Sequence, residues 1–226
     1  MVILKTIDLI KTYGTKETEV KALKSTNLEI EKGEFIAIVG PSGSGKSTLL
    51  HLLAGLDKPS SGKVFINDVN IYDLSETEIS KFRRRNIGFI FQFFNLIPIL
   101  SVEENIRLPV LMDGKSVDKE YMNELMEVLG IEDRKKHLPG ELSGGQQQRT
   151  SIARALINKP SIIFADEPTG NLDSKNSVEV LQLLTSTIKK YNQTLVMITH
   201  DNSIADRADR IITIADGVIT GQKKVR

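Results

Sequence analysis

Gly40-Pro41-Ser42-Gly43-Ser44-Gly45-Lys46-Ser47-Thr48 gathers the residue types that hold phosphate. Gly40 through Ser47 fits the spacing G-x-x-x-x-G-K-[ST]. Its glycines let backbone N–H groups turn inward around phosphate oxygens. Lys46 offers a point charge to β- and γ-phosphates, and Ser47 offers a hydroxyl to Mg²⁺. A second stretch, Asp166-Glu167, puts two carboxylates at the end of the apolar run 162–165. Beside a phosphate loop, Asp166 suits Mg²⁺ and Glu167 suits a general base that polarises the attacking water. A third stretch, Ser143-Gly144-Gly145-Gln146, opens a long helical pattern. Its glycines leave backbone donors bare at a helix start, which is a second anion site. One nucleotide has one γ-phosphate, so the second site points to the nucleotide of another subunit.

These groups need strands and helices to hold them. The opening third is β-rich, with extended candidates at 2–4, 7–9, 20–23, 26–30 and 34–39, and another at 64–66. The apolar run before Gly40 and the helical pattern 46–56 after it supply the context a phosphate loop requires. Residues 102–157 read as mostly helical, with Gly130 as a stop after Tyr121, Leu125, Val128 and Leu129. The last third alternates again: strand 162–165, helix 178–189, strand 195–199, short helix 204–208, strand 210–215 and extended 218–219. Strands alternating with helices predict a parallel sheet covered on both faces. The fold class is therefore α/β, with a helical insertion in the middle.

Composition bounds the partners. In 226 residues, 30 Lys+Arg stand against 29 Asp+Glu, a net charge of +1. No overall basic field argues for nucleic acid. The absence of Cys excludes disulfides, thiol catalysis and Cys-ligated zinc. No apolar run approaches the ~20 residues of a membrane span. The N-terminal residues lack the features of a signal peptide. A soluble, cytoplasmic chain is expected.

Leu142-Ser143-Gly144-Gly145-Gln146, continuing as Gln147-Gln148-Arg149, resembles the signature motif of the ABC ATPases. The family's other motifs follow in order over nearly the whole chain. Gly40 to Thr48 resembles its Walker A, Asp166-Glu167 the end of its Walker B with the general base, and Asn171-Leu172-Asp173 its D-loop. The resemblance implies that Tyr13 stacks on adenine and that Gln92 reaches Mg²⁺ and the attacking water. It also implies that His200 contacts the γ-phosphate. The implied fold is a P-loop NTPase (RecA-like) parallel-sheet core with an N-terminal antiparallel β-subdomain and an inserted helical subdomain. All 226 residues would form one ATPase domain, with about 1–92 and 158–226 in the nucleotide-binding parts and about 93–157 in the helical part. The implied assembly is a head-to-tail homodimer binding ATP and Mg²⁺. Each ATP would lie between Walker A of one copy and Ser143, Gly144, Gly145 and Gln146 of the other, with Asp173 across the interface.

A narrower resemblance rests on Ile87-Gly88-Phe89-Ile90-Phe91-Gln92, Phe94-Asn95-Leu96-Ile97-Pro98, Glu104-Asn105-Ile106 and Leu108-Pro109. It is similar to the branch of the MacB, LolD and FtsE-like ATPases and of the bacitracin-export transporters. The branch implies a subunit that powers a separate membrane permease from the cytoplasmic face of the membrane, exporting or extracting an antimicrobial peptide, lipoprotein or similar amphiphile. The permease would dock between Gln92 and Pro98, where Phe93, Phe94, Leu96, Ile97 and Ile99 crowd together. The runner-up is an FtsE-like ATPase that pulls on a membrane partner without moving a solute. A P-loop kinase or GTPase is a third reading, opposed by Ser143-Gly144-Gly145 and His200.

Overall fold

The computed structural model describes residues 1–15 and 17–225, with side chains throughout except at 174 and 175. The chain divides into two units, one of residues 1–83 and 194–226 and one of residues 84–193.

The first unit opens with two long antiparallel strands, β1 (Val2–Tyr13) and β2 (Val20–Glu31). Sequence reading expects each as two short pieces. The structure makes each continuous, because a bulge rather than a break interrupts the alternation. Asp8 sits at φ 46° where the β1–β2 register shifts. Its N–H donates to Asn27 Oδ1 at 2.9 Å, and its carboxylate accepts from Ser25 and Asn27. The short strand β3 (Phe35–Val39) follows, with Ile36, Ala37 and Ile38 fully buried, as a strand covered on both faces requires.

Helix α1 (Lys46–Leu53) starts seven residues beyond the end of β3 and buries Leu49, Leu50, Leu52 and Leu53. It ends three residues short of the expected Leu56. Ala54 is its C-cap, Gly55 turns at φ 65°, and Leu56 is exposed. Strands β4 (Ser61–Ile66) and β5 (Val69–Asn70) form a hairpin whose turn residues, Asn67 and Asp68, both have positive φ. They complete an antiparallel sheet of order β2-β1-β4-β5. Helix α2 (Glu76–Asn86) was not expected, since Ile79 is its only buried residue and no apolar stripe marks it. Ser75 and Glu78, which bond each other at its start, are the signal that sequence reading could have used.

The second unit begins with β6 (Ile87–Ile90). The region expected to be mostly helical is three helices separated by turns. They are α3 (Val102–Met112), α4 (Lys119–Val128) and α5 (Gly144–Leu156). Side chains of Ser101, Asp118 and Ser143 cap them. Gly130, the expected stop, turns at φ 63° just beyond α4. Strand β7 (Ile162–Asp166) runs parallel to β6, with Ile162 through Ala165 fully buried. Helix α6 (Ser174–Lys190) starts four residues before the expected 178, because Asp173 caps it.

The chain then returns to the first unit with β8 (Thr194–Ile198), α7 (Asn202–Ala205), β9 (Arg210–Ala215) and β10 (Val218–Lys224). Strands β8 and β9 flank β3 in parallel, and β10 adds an antiparallel edge. Only 218–219 of β10 were expected. The rest of that strand is mostly polar and exposed, and so carries no alternation. Among the described residues, no helix is long and apolar enough to cross a membrane.

Candidate functional site

In the first unit the phosphate loop links β3 to α1. Pro41, Ser42 and Gly43 form its exposed crest. Gly45 is the N-cap of α1 at φ 99°, and a Cβ there would lie 2.3 Å from the Ala22 carbonyl oxygen. Only glycine fits. No side chain caps α1, and no acidic residue occupies its first turn. Its opening turn therefore presents the positive potential of a helix start, which favours anions.

Lys46 is almost fully buried, and its ammonium donates to the carbonyls of Gly40 (3.0 Å) and Pro41 (2.8 Å). Ser44 is buried too, and its hydroxyl has no hydrogen-bond partner among the described residues. A charged donor and an orphaned hydroxyl in one glycine-rich cradle fit a polyphosphate. Ser47 is exposed at the first turn of α1, and Thr48 lies one residue further on.

Two more predicted residues belong to this unit. Ile38 and Ile198 are register partners in the parallel β3–β8 pair. Thr199 and exposed His200 thus leave β8 at the same carboxyl edge where β3 runs into Gly40, which is where open α/β sheets take ligands. Tyr13 is 42% exposed, and its hydroxyl donates to Asp57 Oδ2 at 2.6 Å. Burial and this bond to Asp57 raise the Tyr13 hydroxyl above its usual pKa. Burial alone would raise the Asp57 carboxyl, but hydrogen bonds from Lys11, Tyr13 and the Lys58 N–H outweigh it and hold it below its usual value.

The second unit holds the other predicted residues. Ile90 and Ala165 are register partners, so Gln92 leaves β6 beside the point where Asp166 and Glu167 leave β7. Glu167 adopts φ 45°, unusual for a residue with a side chain, and its carbonyl accepts from Gly170 N–H at 2.9 Å. Asn171 Nδ2 donates to the Gln92 carbonyl at 2.9 Å. A Cβ on Gly170 would lie 3.0 Å from the Gln92 side-chain amide. The Gln92, Glu167 and Asn171 segments are thereby brought together.

Ser143 caps α5 by accepting from Gln146 N–H, and Gln146 returns a bond to Ser143 N–H. Gly144 and Gly145 follow, and a Cβ on Gly144 would lie 3.3 Å from Leu172 while one on Gly145 would lie 3.1 Å from Asn176. Asp173 accepts from the Asn176 N–H and its side-chain amide. The start of α5 and the 171–176 turn therefore pack against each other.

In the first unit the Ser47 hydroxyl, and in the second the Asp166 carboxylate and the Gln92 amide, are each of the hard oxygen type that suits Mg²⁺. Among the described residues no three His, Asp or Glu side chains cluster to cage a metal.

The apolar segment after Gln92 is only partly core. Phe93 and Ile99 are 69% and 82% exposed, whereas Phe94, Leu96 and Ile97 are half-buried. Two residues shape it from inside, Arg154, which sequence reading missed, and Asn105, which it quoted only as part of the narrower resemblance. Arg154 of α5 donates to the carbonyls of Asn95 (2.7 Å) and Phe94 (3.0 Å). Buried Asn105 of α3 holds Ile97 by both its N–H and its carbonyl. Lys11 and Asp57 around Tyr13 were also missed, because no local spacing links residues 44 or more apart in sequence.

Residues 23–170 match the family model described as ABC transporter. The chain is 48% identical over 220 residues to the lipoprotein-releasing system ATP-binding protein LolD of Cytophaga hutchinsonii, covering 96% of this chain and 98% of that one. It is also 48% identical over 218 residues to the macrolide export ATP-binding/permease protein MacB of Bdellovibrio bacteriovorus, covering 96% of this chain but 33% of MacB. The solved structure of the ATP-binding cassette MJ0796, a dimeric post-hydrolysis state bound to ADP and Pi, is similar with a TM-score of 0.90 and 44% identity. That match covers 99% of each chain.

Proposed function

This chain belongs to the ABC transporter family and is an ATP-hydrolysing cassette, and from that premise we propose how its residues divide the work. The uncapped, glycine-led start of α1, with Lys46 buried beside it, carries the reading. Lys46 and the N–H groups of residues 43–48 neutralise the β- and γ-phosphates. Tyr13 stacks on the adenine. Glu167 accepts the proton of the attacking water, oriented by Gln92, and His200 contacts the γ-phosphate. Ser47, Asp166 and Gln92 are the residues that would hold Mg²⁺, which would supply charge stabilisation for phosphoryl transfer. The protein's contribution is position and fixed charge, which is what this reaction demands.

The working unit is a homodimer. MJ0796 is described as dimeric with bound ADP and Pi, which supports this reading. Ser143, Gly144, Gly145 and Gln146 of one copy close over the nucleotide of the other, with Asp173 at the junction. The subunit docks on a membrane permease through the exposed face of 92–98, at the cytoplasmic side of the membrane. Similarity to a lipoprotein-releasing protein and to a macrolide exporter favours an amphiphilic cargo, such as a lipoprotein or antimicrobial peptide.

Glu167→Gln tests the core of this. Hydrolysis falls about 10²- to 10³-fold, as expected for loss of a general base. ATP binding persists, and gel filtration with ATP shows a dimer. A variant that binds ATP yet elutes as a monomer overturns the shared-site reading. The permease that co-purifies with the chain identifies the cargo class.

A further inference from the structure

We propose that Lys11 and Asp57 are positioning residues that lock the Tyr13 ring as the purine seat and tie it to the phosphate-binding helix. The inference rests on the reading of Tyr13 as the base-stacking residue. Tyr13 lies at the end of β1, beside a turn, where a lone exposed ring would sample several rotamers. Here it cannot. Its hydroxyl donates to Asp57 Oδ2 at 2.6 Å, while Lys11 Nζ donates to Asp57 Oδ1 at 2.7 Å and to the Lys58 carbonyl at 2.6 Å. The same ammonium lies 4.6 Å from the Tyr13 ring centroid, so a cation backs one face of the ring.

Asp57 is fixed in turn to the C-terminal end of α1. Its N–H and that of Leu56 reach the His51 carbonyl. Its own carbonyl accepts from the Tyr72 hydroxyl at 2.7 Å, and that hydroxyl also contacts the Leu52 carbonyl at 2.6 Å. The ring angle is thus referenced through Asp57 to the last turn of α1, the helix that begins at Lys46. Seat and phosphate cradle form one rigid piece, so the base and the polyphosphate are received at a set spacing. Because the hydroxyl is committed to Asp57, the ring offers its face rather than a donor. Purine recognition here works by stacking, which needs a fixed plane more than a particular hydrogen bond.

Calorimetry of the full chain with ADP and with inorganic pyrophosphate, its base-free counterpart, tests this. Tyr13→Ala loses on the order of 10-fold in ADP affinity, the stacking contribution. Tyr13→Phe and Asp57→Ala each lose about 3- to 10-fold for ADP, because the ring remains but its tether is cut. The double variant is no weaker than Asp57→Ala, since the Tyr13–Asp57 bond is already lost in that single variant. Pyrophosphate affinity is unchanged throughout. In steady-state hydrolysis the KM for ATP rises by the same factor, while kcat stays within about 2-fold. If Tyr13→Ala loses ADP affinity but the tether variants do not, or if their losses multiply, the triad is wrong and the stacking role stands. If pyrophosphate weakens as much as ADP, the triad is also wrong, because the damage then lies in the cradle. If Tyr13→Ala binds ADP normally, the stacking role fails and the triad with it.

Discussion

A methyl group would have different consequences at Gly43 and Gly45, two residues apart in one loop. Both have positive φ, but a Cβ on Gly43 meets nothing within 4 Å, and one on Gly45 meets the Ala22 carbonyl at 2.3 Å. Gly43→Ala is expected to cost only the left-handed backbone strain, roughly 1–2 kcal/mol. Gly45→Ala adds a backbone clash, about 3 kcal/mol in all, or roughly 6–12 °C of Tm. Thermal melts of the two variants check the order; equal shifts would remove the clash as the cause. The spacing of the loop was legible in the sequence because it is local. What the sequence did not disclose is that Glu167 also holds a left-handed backbone, at φ 45°. Nothing about a glutamate signals that conformation; the turn from Glu167 to Gly170 imposes it.

Between elements, the segment after Gln92 hangs on α3 and α5. Burial pulls the Arg154 guanidinium below its usual pKa, yet it spends its donors on the carbonyls of Phe94 and Asn95. A charge removed from water to hold backbone acceptors fixes that segment firmly. Arg154→Met is expected to raise amide hydrogen exchange in residues 93–99 about 10-fold, with the buried face of α5 still protected. Uniform loss of protection across α5 would instead mean misfolding. The other end of α5 packs on the 171–176 turn, where Asp173 caps α6. Asp173→Ala is expected to cost about 1 kcal/mol as a lost cap, read as a lower denaturant midpoint; an unchanged midpoint would show that the cap contributes nothing. Helices with apolar stripes were legible, and α6 was anticipated from Val178 onward. Helix α2 was not, because its stabilising features are polar and at its start.

For the molecule as a whole, acid stability gathers many depressed carboxylates, and Asp113 is the clearest. Its side chain is 1% exposed and meets Arg85 at 2.8 Å and Lys115 at 2.9 Å. Hydrogen bonds from Arg85 and Lys115 hold its carboxyl down to about 2, against an ordinary 3.8. A depressed carboxyl stabilises the fold above its unfolded pKa and loses that contribution as pH falls through the folded one. Stability owed to Asp113 is therefore complete above pH 3.8 and drains away toward pH 2. Asp113→Asn is expected to flatten Tm against pH in that window; an unaltered acid slope would assign the loss to other carboxylates. At this scale the α/β alternation and the antiparallel opening sheet were legible from periodicity and family resemblance. The cation cluster was not, since Arg85 and Asp113 lie 28 residues apart with no pattern between them.

Lys46 rests on the carbonyls of Gly40 and Pro41. Under the proposed function, an arriving phosphate would not meet a waiting charge but compete for one already engaged. Nucleotide affinity at this loop would then be an exchange constant, the difference between two sets of partners for a single ammonium.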